Sequence, residues 1–112
     1  MNLRLVASLA LAGGLAGCAN VKDIRERDPV FFGSSARSAE QYTTCVDKAW
    51  QGIGTVAERH PVRNGYELIV QGTMGVNAVL TATTWKGTTE VRLSTRVARY
   101  STALAEAANL CL

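Results

Sequence analysis

Catalysis needs nucleophiles, bases or metal ligands at workable spacings, and this chain of 112 residues offers few. Its single histidine is His60, followed by Pro61. A Ser-His-Asp triad would need His60 beside an activated serine and a carboxylate, and no Gly-x-Ser-x-Gly elbow occurs. The three cysteines, Cys18, Cys45 and Cys111, form no Cys-x-x-Cys redox or zinc motif. The carboxylates are scattered, without an Asp-x-Asp-x-Asp-Gly calcium loop. Gly52-Ile53-Gly54 and Gly72-Thr73-Met74-Gly75 lack the Gly-Lys-Ser/Thr ending of a phosphate loop. They read as turns, with Met74 packing on the core. No metal or cofactor is expected. A small enzyme using His60 with a nearby serine or aspartate stands as the catalytic alternative.

Cys18 has the most telling neighbours. Arg4 supplies a positive start, and Leu5 to Ala12 is an uncharged apolar run. That run is shorter than the ~20 residues a helix needs to cross a bilayer, so it reads as a cleaved signal. It leads into Leu15-Ala16-Gly17-Cys18, which resembles the lipobox of bacterial lipoproteins position for position. The resemblance covers the signal only. It implies that residues 1–17 are removed, that the Cys18 sulfur carries diacylglycerol, and that the new amino terminus is acylated, typically with palmitate. Two or more acyl chains hold a protein stably where one holds it reversibly. Ala19 stands where an aspartate would mark retention at the inner membrane, so the resemblance implies an outer-membrane protein facing the periplasm. Losing Arg4 takes the formal charge from +3 to about +2. With no basic run carrying interleaved aromatics, nothing points to a nucleic-acid partner.

The elements that would position any site follow Cys18. Residues 18–37 mix charges of both signs with Pro29 and Gly33-Ser34-Ser35, the composition of a flexible tether. Val30-Phe31-Phe32 interrupts it and would either dock on the domain or dip into the membrane interface. Residues 38–112 read as one small domain. Ser38 and Gln41 form a capping box. Behind it Tyr42, Cys45, Val46, Ala49, Trp50 and Ile53 make a helical stripe ended by Gly52 and Gly54.

Strand patterns follow. Residues 55–62 are the weakest, and Pro61 suits an edge strand. Arg63-Asn64-Gly65 reads as a three-residue loop that pairs Val62 with Tyr66 and His60 with Leu68. Tyr66, Leu68 and Val70 alternate with Glu67, Ile69 and Gln71. A two-residue turn at Lys86-Gly87 pairs Thr84–Thr89, Ala82–Val91, Leu80–Leu93, Ala78–Thr95 and Val76–Val97 on an inner face. Asn77, Val79, Thr81, Thr83 and Trp85 then face outward, with Glu90, Arg92 and Arg96. Ser101 caps a last helix with Tyr100, Leu104, Ala107, Ala108 and Cys111 on its apolar stripe. The expected fold is α+β: helix, four-stranded antiparallel meander, helix, with both helices on one sheet face.

Cys45 and Cys111 lie on the apolar stripes of these helices, and an oxidising compartment favours a disulfide between them. The outer face has no expected cover, so Ile69, Val79 and Trp85, flanked by Arg92 and Arg96, are the candidate partner-binding residues. The pattern loosely resembles small uncharacterised proteobacterial lipoproteins, a likeness that brings no activity with it. The expectation is a lipid-anchored, non-catalytic envelope protein that binds another envelope protein or peptidoglycan. A purely structural envelope domain is the other alternative.

Overall fold

The computed structural model describes residues 20–97 and 101–112. The signal, Cys18 and Tyr100 lie outside them. The chain is α+β, built on an open five-stranded antiparallel sheet. In chain order the elements are α1 (Val21–Arg25), β1 (Phe31–Ser35), α2 (Ala39–Gly52), β2 (Glu58–Val62), β3 (Gly65–Gly72), β4 (Gly75–Trp85), β5 (Thr88–Thr95) and α3 (Ser101–Leu110). The strand order is β1-β5-β4-β3-β2.

The first two elements replace the expected tether. Asn20 caps α1: its side chain accepts from the Asp23 amide at 3.0 Å, and Asp23 accepts back from the Asn20 amide. Ile24, fully buried, pins the helix to the sheet. Val30 and β1 then add an edge strand, pairing Phe31 with Leu93 and Phe32 with Arg92. A fifth strand and an extra helix therefore stand where polar composition suggested freedom. The burial of Ile24 and the backbone pairing of β1 outweigh that composition.

The inner face follows the hydrophobic pattern. Ser38 caps α2 through the expected box with Gln41. Tyr42, Val46 and Trp50 are fully buried against Leu68, Leu80, Val91 and Leu93, with Leu104 and Ala108 of α3. Ile53 leaves the stripe because it lies past the helix end, half exposed. Two polar contacts tie α2 to α3: the Tyr42 hydroxyl donates to the Ala108 carbonyl at 2.7 Å, and the Trp50 indole donates to Leu104 at 3.2 Å. Burial pushes the Tyr42 phenol above its ordinary range. Cys45 and Cys111 are bonded across the same seam, with an S–S distance of 2.10 Å. The closed loop has a sequence separation of 66. Loop-closure entropy alone assigns such a bridge about 4 kcal/mol, of which 2–4 is the usual yield.

A hydroxyl relay fixes the start of α2 on the β4–β5 hairpin. The Ala39 amide donates to Thr84 Oγ1, which shares a 2.7 Å bond with Thr89 Oγ1, and Thr89 donates to the Arg37 carbonyl. These partners require Thr84 to donate to Thr89. The pairing Thr84–Thr89 and the Lys86-Gly87 turn stand as the pattern predicts, with both turn residues at positive φ.

Two registers differ from expectation. At β2–β3 the loop has two residues, Arg63 and Asn64, so Val62 pairs Gly65, Pro61 pairs Tyr66 and Arg59 pairs Leu68. Asn64, not Gly65, takes the positive φ. Gly65 is needed for another reason: a Cβ there would overlap the Ala82 carbonyl oxygen. β2 buries no residue, so apolar alternation could not fix its register. At β3–β4 a bulge between Val70 and Gln71 sets Val70 against Ala78 but Gln71 against Val76. The extra residue, Asn77, reverses the alternation. Val76 thus joins the outer-face cluster rather than pairing Val97 on the inner one.

Candidate functional site

The outer sheet face divides into a covered half and an open half. In the covered half Ile24 packs on Ile69, Val76 and Val79, with Val21 alongside. Ile69 is 7% and Val79 1% exposed. These two of the five expected partner-binding side chains are therefore core beneath α1, which corrects the reading of an uncovered face. The reason is local: Val21 and Ile24 are the only apolar residues of α1, a pair too brief to establish any period.

An ion pair holds α1 at the residue after Ile24. Arg25 donates from Nε to Glu67 Oε2 at 2.9 Å and from Nη2 to Oε1 at 2.7 Å, a bidentate fork. Glu67 is buried and also accepts from the Thr81 hydroxyl at 2.8 Å. The hydrogen bond to Glu67 raises the Arg25 pKa above its ordinary value, against the opposing effect of burial. Further along, the Arg27 carbonyl accepts from Ser94 and its guanidinium donates to the Arg96 carbonyl.

The open half carries the exposed groups. Phe32 on β1 is 63% exposed and Trp85 at the end of β4 is 68% exposed. Between them lies a shallow trough of about 250 Å³ floored by Thr81 and Thr83 and edged by Arg25, Glu90 and Arg92. A second depression continues it through Thr83 and Glu90 to Trp85, Lys86 and Thr88. The Lys86 ammonium sits 5.8 Å from the centre of the Trp85 ring. Arg92 thus stays with Trp85 on one open surface. Arg96 does not: it follows β5 at the opposite end of the sheet, where its guanidinium donates to the Met74 carbonyl at 2.9 Å. Met74 itself is exposed at the β3–β4 turn, not packed on the core. The sequence leaves the place of Phe32 open and gives no sign that Arg25 meets Glu67 or that Ile24 packs on the sheet. The Asn20–Asp23 spacing, read as a capping box, was the signal that could have found α1.

The candidate catalytic groups are dispersed. His60 is exposed on the edge strand β2, where its ring pairs with Glu58 at 3.2 Å. Among the described residues, Glu58 is the hydrogen-bond partner of that ring. A cleft of about 580 Å³ lies between the end of α2, β3 and α3. Its lining, including Ile53, Val56, Val70, Gln71, Asn77 and Leu104, holds no ionisable side chain. Among the described residues no cluster of three His, Cys, Asp or Glu is placed to hold a metal, and no helix is long and apolar enough to cross a membrane. The chain matches no protein-family model, no curated protein and no solved structure. The functional reading rests on the residues themselves.

Proposed function

We propose that this chain is an envelope lipoprotein, anchored to the outer membrane through acyl groups on Cys18, whose folded domain binds rather than catalyses. The observation that carries this reading is Leu15-Ala16-Gly17-Cys18 behind a short apolar run with one leading arginine. The Cys45–Cys111 bond supports it, because structural disulfides persist in oxidising compartments such as the periplasm. The binding role draws on exposed aromatics beside cations, Phe32 and Trp85 with Arg92 and Lys86, and on the dispersal of the titratable groups.

The test is chemical. Cells expressing the wild-type chain and fed labelled fatty acid should yield a labelled protein that fractionates with the outer membrane. Cys18→Ser should lose the label and leave the membrane or stall as precursor. A Cys18→Ser chain that keeps both label and membrane association sinks the reading. His60→Ala should leave the cellular phenotype unchanged.

A further inference from the structure

We propose that the open half of the outer sheet face lies on the bilayer that holds Cys18, with Phe32 and Trp85 entering the boundary between headgroups and acyl chains. The inference rests on the lipidated reading of Cys18 and deepens it.

Chain length is the first support. Cys18 stands two residues before Asn20, the cap of α1, and two residues of extended backbone reach about 7 Å at most. α1 is no loose leash. Ile24 is buried under it, and Arg25 is forked onto a buried Glu67. An anchor attached this close to α1 brings the sheet face on which α1 lies to the membrane.

Side-chain chemistry is the second support. Tryptophan, phenylalanine and long cations suit a boundary that is apolar on one side and wet on the other. Phe32 and Trp85 are exposed on this face, with Arg92 and Lys86 beside them. Trp85 stands six residues along β4 from Val79, roughly 20 Å at the rise of a strand. A bilayer touching α1 and the tip of the β4–β5 hairpin therefore spans the trough between them. Arg92 and Lys86 then meet lipid phosphates. Glu90 lies between them along β5 and is the member of the trough that anionic lipid repels.

The experiment uses the mature acylated protein in phosphatidylethanolamine–phosphatidylglycerol vesicles, with and without bromine on the acyl chains. Trp50 is fully buried on the far side of the sheet, so the fluorescence missing from Trp85→Phe is the Trp85 signal. Brominated lipid should remove at least half of that signal, and the signal of Trp85→Phe should hardly change. If the protein floats with the vesicles while the Trp85 signal survives intact, the membrane-facing assignment is overturned and the lipidated reading stands. If Cys18 proves unmodified by mass spectrometry and the protein stays in solution, both fall. A photo-crosslinker at position 32 in living cells gives a second reading. Lipid adducts support the assignment; adducts to another protein, or to a second copy of the chain, overturn it.

Discussion

The two faces of one sheet are covered in opposite ways. The inner face lies under α2 and α3, with three fully buried large side chains on α2, two cross-helix hydrogen bonds and a disulfide. The outer face lies under the five residues of α1, one fully buried isoleucine and one ion pair, and beyond them it is open. Long helices bury a stripe that repeats every turn; a single turn of helix buries one residue. The inner face is thus secured by many coupled contacts, and the outer cover by few: Ile24 with Val21, the Arg25–Glu67 pair and the two hydrogen bonds of Arg27.

Truncation at the centre of each cover should expose that difference. Trp50→Ala removes a fully buried indole and its hydrogen bond to the Leu104 carbonyl, and should cost about 3–5 kcal/mol in denaturant unfolding. Unfolding should stay a single transition, because the inner core is shared by both helices and four strands. A loss below about 1 kcal/mol would mean that the inner face does not hold the fold.

Ile24→Ala should cost less, about 2 kcal/mol. A substitution in a peripheral helix can cost no more than the free energy that docks the helix. The sharper readout is hydrogen exchange. Protection should fall at 20–27 while Leu68, Leu80 and Leu93 stay protected, the behaviour of a local opening unit. Loss of protection across both faces together would show that α1 is part of the global core. The comparison would then collapse.

The same contrast decides what could be read from the sequence. Tyr42, Val46 and Trp50 repeat at helical spacing, and Leu80 and Ala82 face Leu93 and Val91, so α2 and the β4–β5 register are legible. Cys45 and Cys111 were legible as a pair because both fall on those stripes. α1 is not, because Val21 and Ile24, a single i, i+3 pair, make no period and Arg25 finds Glu67 across 42 residues. The register of β2 escaped because it buries nothing, and the bulge at Val70/Gln71 escaped because it breaks the alternation on which the reading relies. Trp85 and Arg92 stand on the outer face, where the alternation of β4 and β5 predicts them. Ile69 and Val79 were on the right face but under a helix that the sequence hid.

The smallest effect tests the open half. Trp85 is 68% exposed at the last position of β4, paired with Thr88 across the hairpin turn. Removing an exposed ring leaves no cavity, so the transfer and cavity costs that dominate buried truncations are absent. What is lost is partial contact with the sheet and the approach of Lys86 to the ring, worth about 0.5–1 kcal/mol at an exposed site. Trp85→Ala in the isolated, detergent-free domain should therefore shift stability by less than about 1 kcal/mol, well under the loss expected at Trp50. Phe32→Ala, at a position comparably open on the edge strand β1, should behave alike. If Trp85→Ala instead costs about 3 kcal/mol or more, the ring is acting as core. Some part of the chain would then cover the outer face from end to end, and the face would have no open half to offer a membrane or any partner.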